Sequence, residues 1–526
     1  MIDEVIDQVV VRAGAYHDSV TLMQVSGRLS AADGVLVGQV AMGTELNLGL
    51  LAALSFTLPP AGPNDLVLAI RAVDQPAAER ALDLVEALLA PALRPARTGS
   101  AAGSTLQSTL QSTLQPPRTV AAAAAEAAAT GRPARLALIS VPGEHAFTEA
   151  MAALDSGLNV MVFSDNVPVQ HEIRLKDEGL ARGLLVMGPD CGTAVLSGVG
   201  LGFANVLRPG PVALVAASGT GAQQLACLLD AAGVGVRHIL GVGGRDLSAE
   251  VDGRATRQAL ALLDQDPAVE LIVLVSKPPD PQVAQALRRH AAGLRTPVQF
   301  VLLGSGEPDL SEAAQQVVAR LGGTWAEPQS WPAPVRPDGD LAVLRGAFSG
   351  GTLCDEAMLV AAARLGPIGS NIPLPGAPRI DSGQLLAGAS GSIAAGHLMV
   401  DFGDDDLTRG RPHPMIDSSL RIRWLLGQAA AAPAVLLLDV VLGHGAHPDP
   451  AADLAPAIDR CQAAAAAAGH RVAVVVSLCG TEGDPQGLTG QAARLAAAGA
   501  CVHRSNARAA GCAVALLVGQ DGARRC

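Results

Sequence analysis

The sequence has 526 residues, which is enough for three or four domains, because domains usually hold roughly 100–200 residues. Hydrophobic residues make up 49% of the chain and charged residues 16%, and this composition predicts several buried cores. The net charge of −12 argues against nucleic-acid binding, because that function needs a concentrated basic surface. The acidic N-terminal sequence lacks a secretion signal, so we expect a cytoplasmic protein with reduced cysteines. No apolar window is uninterrupted over the thickness of a membrane, so we expect no membrane partner. We also expect no metal site.

Residues 1–95 predict a small N-terminal α+β domain. Its hydrophobic periodicity gives the order β-α-β-β-α, which is typical of a ferredoxin-like fold. Residues 96–117 follow, with three copies of Ser-Thr-Leu-Gln and a closing Pro-Pro pair, and this low-complexity composition predicts a linker without chemistry.

Residues 118–205 predict a half-Rossmann domain, in which helices and strands alternate and the sheet is parallel. The predicted strand ends carry polar turns at 142–144, 165–168 and 188–192. Ligands of open α/β sheets bind at such carboxyl ends. The glycine-rich fingerprint of dinucleotide-binding domains is absent from this region.

Residues 206–335 predict a second α/β domain, with a flavodoxin-like order and the clearest candidate ligand site. An apolar strand at 211–217 ends in Ser-Gly-Thr-Gly at 218–221, and a helix follows. The first backbone N–H groups of a helix are unpaired and lie at the positive end of its dipole, so this turn is a candidate anion site. An ordinary strand–turn–helix joint capped by Ser218 is the alternative.

Residues 336–526 predict a third α/β domain with two glycine-rich turns. The stretch SGGTLCDE at 349–356 opens an apolar helix. A buried strand at 434–442 ends in Gly-His-Gly at 443–445, ahead of a long alanine-rich helix. We take the second of these turns as a second candidate anion site.

Several of these motifs together resemble known families. MGPDCGTAVL at 187–196, the helix start at 218–221 and GVGGRD at 241–246 resemble the α subunit of succinyl-CoA synthetase. The region 399–508 is similar to the C-terminal domain of the β subunit of that enzyme. One chain that carries both, with an extra N-terminal domain and RGRPHPMID at 409–417, closely resembles the FdrA family. The resemblance implies a Rossmann-like CoA-binding-type domain and two flavodoxin-like succinyl-CoA-synthetase-type domains.

Three departures from the synthetase bear on chemistry. The phosphorylated histidine of the α subunit belongs after the strand at 297–303, but there is no histidine between His290 and His397. The glycine-rich turn that grips the phosphates of CoA is missing, so CoA is possible but no cofactor is firmly implied. Nothing resembles the ATP-grasp domain. We therefore do not expect the chain to run the full ATP-dependent thioester cycle unaided.

The FdrA resemblance implies a subunit of oxamate carbamoyltransferase, a multi-subunit enzyme of ureide and allantoin breakdown that exchanges a carbamoyl group between oxalurate and phosphate. Two anion sites suit carbamoyl phosphate, which is already activated and needs neither ATP nor a phosphohistidine. An acyl-CoA synthetase resembling succinate-CoA ligase, with partner subunits for ATP and CoA, is one alternative. A non-catalytic assembly scaffold is the other. We expect a hetero-oligomer with other subunits, and carbamoyl phosphate with oxamate, or an acyl carboxylate, as the small-molecule substrate.

The candidate site residues fall into three groups. A guanidinium binds a carboxylate through two hydrogen bonds, so arginines are candidates for oxamate, and histidine or cysteine could assist the transfer, although each is more often structural. The expected phosphate-binding residues are Ser218, Gly219, Thr220, Gly221, Gly443 and Gly445. The catalytic candidates are His444, His413 and Cys191, and the substrate-binding candidates are Arg409, Arg411, Gly188, Pro189 and Asp190.

Overall fold

The computed structural model divides into two compact units, Met1–Val141 with His145–Val160, and Pro142–Glu144 with Met161–Cys526. The predicted linker at 96–117 lies, apart from Pro117, outside the described residues. The described residues are 5–15, 17, 19–30, 32–62, 65–89, 117, 119–304, 306–334, 341–386, 396–409 and 411–519.

The first unit begins with a three-stranded antiparallel sheet in the order β1-β3-β2. Its middle strand is buried on both faces, because Leu68 and Ile70 pack into one core cluster while Val67 and Ala69 pack into another. The elements are β1 (Ile6–Arg12), α1 (Ser19–Ser30), β2 (Val35–Met42), α2 (Glu45–Ala53), β3 (Leu66–Ala72) and α3 (Gln75–Leu89).

Helix α2 is absent from the predicted order of this domain. Its sequence ELNLGLLAA is apolar without a clear helical face, so periodicity does not reveal it. The local signal is its cap, because the Thr44 side chain accepts a hydrogen bond from the backbone N–H of Asn47. The predicted order β-α-β-β-α is therefore corrected to β-α-β-α-β-α.

Helices and strands alternate between residues 119 and 187, as the sequence predicts. The division between the two compact units falls inside β5. The elements are α4 (Val120–Ala129), β4 (Leu136–Ile139), α5 (Gly143–Asp155), β5 (Asn159–Val162), α6 (Val169–Arg182) and β6 (Val186–Met187).

The second unit contains a six-stranded sheet in the order β12-β11-β9-β10-β7-β8. Strands β9 to β12 are parallel, while β7 and β8 form an antiparallel hairpin that the sequence did not reveal. Every residue of β9 and β11 is buried, as expected of parallel strands covered on both faces. The strands are β7 (Thr193–Leu196), β8 (Val199–Gly202), β9 (Val212–Ala217), β10 (Val236–Gly241), β11 (Leu271–Ser276) and β12 (Val298–Leu302), and the helices are α7 (Gly219–Ala231), α8 (Arg254–Leu263), α9 (Pro281–Ala291) and α10 (Leu310–Arg320).

A second six-stranded sheet has the order β13-β18-β17-β16-β14-β15. All of its neighbouring pairs are parallel except β13 with β18, and β16 and β17 are buried throughout. The strands are β13 (Ser330–Trp331), β14 (Val343–Phe348), β15 (Leu398–Asp401), β16 (Ala434–Val441), β17 (Val472–Cys479) and β18 (Ala500–His503). The helices are α11 (Gly351–Leu365), α12 (Ser382–Leu386), α13 (Asp405–Thr408), α14 (Ser419–Ala431), α15 (Pro450–Ala467), α16 (Leu488–Ala497) and α17 (Asn506–Val518).

The predicted α/β class with a small N-terminal domain is confirmed. The buried residues of the two six-stranded sheets are mostly Ala, Val and Leu, as the scarcity of aromatic residues requires. Among the described residues, no helix combines the length and apolarity needed to cross a bilayer.

Candidate functional site

The predicted helix start at 218–221 is the N-terminus of α7. Ser218 is its N-cap, and the Ser218 hydroxyl accepts a hydrogen bond from the backbone N–H of Gly221 at 3.0 Å. Thr220 is the second residue of the helix and is buried. A Cβ at Gly219 would come no closer than 3.5 Å to Thr193, so this glycine leaves ordinary space beside the helix start.

A second helix start meets α7 directly, and it is that of α11. The Ser218 and Thr352 hydroxyl oxygens are 2.5 Å apart, although the residues are separated by 134 positions in the chain. A Cβ at Gly350 would lie 2.4 Å from Thr220 Cγ2, so a larger residue would force the two helix starts apart. The positive ends of two helix dipoles therefore meet at one place, an arrangement that favours an anion beside them.

The Gly-His-Gly turn at 443–445 does not begin a helix. Helix α15 begins at Pro450, and the backbone N–H groups of Gly443 and His444 donate to Gln486 Oε1 and to the carbonyl oxygen of Ala204. A Cβ at Gly443, whose φ is +121°, would lie 2.6 Å from that carbonyl oxygen. This corrects our expectation that the turn at 443–445 is the second helix start. The helix start that meets α7 is that of α11, and the turn at 443–445 instead allows close packing against Ala204.

Gly445 and the His444 side chain complete this turn. Gly445 has a φ of +79° and packs against the backbone of Gly202. The His444 side chain is exposed, while its backbone pairs with Ala204 as an isolated bridge. The turn thus joins the end of β16 to the segment after β8.

Lys277 brings a cationic side chain to the paired helix starts. It follows β11, and its Nζ lies 2.8 Å from the point that a Cβ at Gly351 would occupy. Burial alone would lower the pKa of Lys277, but carboxylates led by Asp355 and Asp401 outweigh burial and raise it. Lys277 therefore stays charged. The sequence contains only two lysines, and this rarity is the signal that could have singled it out.

Two buried carboxyl groups accompany Lys277. Asp355 lies on the first turn of α11 and Asp401 ends β15, with its Oδ2 2.7 Å from the same Cβ point of Gly351. Burial raises the pKa of Asp355 to about 6 and that of Asp401 to about 7, even though Lys277 opposes the rise. Groups that titrate near neutral pH are suited to exchanging a proton during a reaction. Sequence reasoning missed both.

His413 lies beside Asp401. Its Nδ1 accepts a hydrogen bond from the backbone N–H of Met415, so in the neutral ring the proton is on Nε2. Burial, helped by the charge of Arg421, lowers the pKa of His413 to about 4. A Cβ at Gly403 would lie 3.0 Å from His413 Nε2 and 3.2 Å from Asp401 Oδ1. His413 is thus a neutral hydrogen-bond donor rather than a base at Nε2.

A buried ion pair fixes the start of α11. Asp439 accepts hydrogen bonds from the backbone N–H of Ser349 at 2.7 Å and from its hydroxyl at 2.9 Å. Arg421 donates to the same carboxylate oxygen at 2.7 Å, and both charged side chains are almost wholly buried. The turn between β14 and α11 is therefore held by two elements of the second sheet region, β16 and α14.

The predicted 188–192 segment packs between strand ends. Cys191 is buried, and burial raises the pKa of its thiol to about 12, which disfavours the thiolate form that a nucleophile requires. The backbone N–H of Gly188 donates to Gly241, and Pro189 lies against Gly243. The Asp190 side chain is exposed, and its charge acts on Lys277.

The two predicted carboxylate-binding arginines are exposed. Arg409 lies 3.9 Å from Asp406 in a surface ion pair, and the backbone N–H of Arg411 donates to Thr408. Of the predicted residues, the α7 start, His413 and Asp190 therefore share a neighbourhood with Lys277, whereas Cys191 is buried in the packing and both arginines face solvent.

Comparisons with known proteins agree with this architecture. Residues 5–105 match the family described as AllF, heavy metal-associated domain. Residues 347–516 match the CoA-ligase family, and this range includes the whole of α11. The chain is 28% identical over 148 residues to the succinate–CoA ligase [ADP-forming] subunit alpha 2 of Archaeoglobus fulgidus and 27% identical over 166 residues to the malate–CoA ligase subunit alpha of Methylorubrum extorquens. These matches cover 27% and 30% of the chain and about half of each ligase subunit, 50% and 54%.

The match to a solved structure of the dinucleotide forming acetyl-coenzyme A synthetase 1 from Ca. Korarchaeum cryptofilum covers 74% of this chain and 83% of that chain, at 16% identity and a TM-score of 0.27. A much closer relative is the uncharacterized protein YahF of Escherichia coli, which is 35% identical over 95% of this chain and 96% of its own length. With this full-length likeness, an N-terminal AllF-type domain and a C-terminal CoA-ligase domain, the chain belongs to the FdrA family.

Proposed function

We propose that the chain binds an acyl phosphate between the starts of α7 and α11 and acts as a subunit of an oxamate carbamoyltransferase. The observation that carries the proposal is the 2.5 Å contact between Ser218 and Thr352, which brings two positive helix ends together beside Lys277. This volume suits a compact dianion, because backbone N–H groups, dipoles and an ammonium all stabilise negative charge there.

The proposed transfer joins oxamate to the carbamoyl group. The amide nitrogen of oxamate attacks the carbonyl carbon of carbamoyl phosphate, the carbon–oxygen bond to phosphate breaks, and oxalurate and inorganic phosphate result. Lys277 and the helix starts stabilise the charge that grows on the leaving phosphate. The N–H of His413 Nε2 donates to the carbonyl oxygen, and Asp401 Oδ2 takes the proton that the nitrogen loses, since its pKa of about 7 suits that exchange.

The roles of the other predicted residues remain proposals of the same kind. Gly219 and Thr220 would present backbone N–H groups to the phosphate, while Gly221, whose N–H donates to the Ser218 cap, would keep the turn open to it. The exposed Arg409 and Arg411 would attract the carboxylate of oxamate, while Asp190 would tune the charge of Lys277. The carbamoyl group arrives activated, so this scheme needs no histidine after β12, where the sequence has none between His290 and His397.

An acyl-CoA ligase is the second candidate, and the similarity to CoA-ligase α subunits favours it. That reaction would need partner chains to supply ATP and CoA sites. Both candidates use the same anion volume, so binding of phosphate alone does not separate them. They differ in the second substrate and in the need for a nucleotide.

The test uses the full chain expressed together with its genomic neighbours. Carbamoyl phosphate and oxamate are expected to give oxalurate without nucleotide, and ATP, CoA and succinate are expected to give no thioester. Lys277→Met should abolish oxalurate formation, whereas the distant Gly490→Ala, at a site with free space around it, should not. Thioester without oxalurate would replace the proposal with the ligase. No product from either mixture would favour the assembly scaffold.

A further inference from the structure

A second cluster of chemically reactive side chains lies outside the site described above. Cys501 and His503 are on β18, and Cys512 is on α17. One ligand atom from each lies within 4.8 Å of the other two, and Cys501 Sγ is 3.6 Å from His503 Nε2. All three side chains are buried, with exposed fractions of 4%, 6% and 6% for Cys501, His503 and Cys512.

The fold explains why three such residues converge. Cys501 and His503 are two positions apart on a strand, so their side chains leave the same face of the sheet. Helix α17 crosses back over that face directly after β18 and brings Cys512 onto them. Because the third residue comes from the next element, the sequence shows no CxxC spacing, which is why it gave no indication of a metal site.

A cavity of about 630 Å³ reaches this cluster. His503 and Cys512 are part of its wall, together with Trp325, Arg508, Gly511 and Ala515. A small ligand can therefore approach the two side chains from one side, while Cys501 lies behind them. Three protein ligands with one open side is the pattern of zinc sites that keep a fourth position for water or substrate.

Cys512 is disulfide-bonded in the structure, so its sulfur becomes a metal ligand only after reduction. A dithiol reductant supplies the two electrons and two protons that convert the disulfide into two thiols, and the reductant is oxidised to its own disulfide. Binding of a metal then releases the thiol protons of Cys501 and Cys512, because thiolates are the ligands.

We propose that, in the reduced protein, Cys501, His503 and Cys512 bind one Zn²⁺ through two thiolates and one imidazole, with the fourth position open to the cavity. Thiolate and imidazole ligands suit Zn²⁺ better than Mg²⁺ or Ca²⁺, which prefer oxygen. The disulfide and the metal exclude one another, so the site is occupied only under reducing conditions. Without metal, Cys501 Sγ and His503 Nε2 are hydrogen-bond partners at 3.6 Å.

The experiment uses the full chain, stripped of metal, reduced with a dithiol and freed of reductant under anaerobic conditions. Titration with Zn²⁺ against a chromophoric chelator is expected to give one tight site per chain that Cys501→Ala and His503→Gln each weaken at least about 100-fold. Cys461→Ala is the matched control, because Cys461 is equally buried but lies on α15 outside the cluster. The affinity of this variant for Zn²⁺ should equal that of the wild type. Co²⁺ in place of Zn²⁺ should show thiolate charge-transfer absorption that Cys501→Ala reduces.

A second measurement needs no variant. Zn²⁺ should protect Cys501 and Cys512 from alkylation in the reduced wild-type chain, as located by mass spectrometry, and a chelator should remove the protection. Failure of the reduced chain to bind Zn²⁺, or binding that neither substitution weakens, or binding without protection of these two cysteines, would each overturn the proposal. Equal binding by the oxidised chain would overturn its dependence on reduction.

Discussion

At Gly350 the absence of a side chain sets the distance between two helices. A methyl group there would meet the Thr220 side chain at 2.4–2.7 Å, well inside van der Waals contact. The Thr220 side chain is itself nearly buried and has little room to move. The position therefore tests whether the close approach of α7 and α11 matters for activity.

Gly350→Ala is expected to destabilise the fold by about 1–3 kcal/mol through overpacking and to lower carbamoyl transfer at least tenfold by widening the anion volume. Gly490→Ala is the control, because nothing lies within 4 Å of its Cβ position in α16. Urea unfolding and initial rates measure the two effects. Full activity of Gly350→Ala would show that the contact between the helix starts is only structural.

Lys277 supplies the charge that the helix dipoles alone lack. We expect Lys277→Met to weaken binding of inorganic phosphate at least about tenfold, because a nearby charge contributes more than a neutral donor. Calorimetric titration of phosphate measures the change. Arg254→Gln, which removes a cation from the exposed Arg254–Asp177 ion pair, should leave phosphate binding unaltered. Equal losses in both variants would point to a nonspecific effect of net charge.

At the scale of elements, a buried charge network joins α6 to the loop after β10. Lys176 Nζ donates to Glu172 at 2.6 Å, to Asp246 at 2.7 Å and to the carbonyl oxygen of Val242 at 2.9 Å. Asp246 in turn accepts from the backbone N–H and hydroxyl of Thr256 on α8. The loop that carries the GVGGRD motif is therefore anchored by two helices, by the Lys176 ammonium of α6 and by Thr256 of α8.

Lys176→Met is expected to lower the free energy of unfolding by about 3–5 kcal/mol, because it leaves the buried Asp246 without its cation and Glu172 with Arg245 alone. Guanidinium denaturation measures the loss. The surface variant Arg254→Gln should cost less than about 1 kcal/mol, since exposed ion pairs contribute little. Similar small losses in both variants would mean that the two carboxyl groups become protonated at low cost.

For the molecule as a whole, the buried carboxyl groups predict how stability depends on pH. Burial raises the pKa of Asp401 to about 7 and that of Asp355 to about 6, above the ordinary value of 3.8. Between pH 4 and 7 the folded protein thus binds more protons than the unfolded chain, and these groups make stability fall as the pH rises.

Asp401→Asn should flatten that dependence by up to about 1.4 kcal/mol per pH unit between pH 4 and 7, because asparagine does not titrate but can still accept from Gly403. The measurement is the free energy of unfolding of wild type and variant at pH 4.5, 6 and 8, the pH values being chosen at about the edges of that window. Parallel curves for the two proteins would contradict a raised pKa at Asp401.

Much of the fold is readable from local patterns. Uninterrupted apolar runs such as LIVLVS at 271–276 identify buried parallel strands, and the SGTG turn after one of them identifies the start of α7. The hairpin of β7 and β8 escaped prediction because each strand is only four residues long and two of the four residues of β8 are glycines. Strands of four residues are too short to show a clear alternation of apolar and polar residues.

The site is less readable because it depends on contacts between distant segments. The turns at 349–351 and 443–445 look alike as sequences, since each follows an apolar strand and contains two glycines. Only packing shows that the first meets α7 while the second fits against Ala204. Likewise, Lys277, Asp355 and Asp401 lie on three separate elements, and nothing in their local sequence says that they converge.

The rarity of lysine limits how far the protein could be acylated by its own activated substrate. Activated acyl donors react with free amines, and the guanidinium of arginine is far less nucleophilic because it stays protonated. Of the 37 Lys and Arg side chains only two are lysines, and Lys176 is 1% exposed within its network of acids. An electrophile that escapes into solution would therefore find almost no side-chain amine to modify.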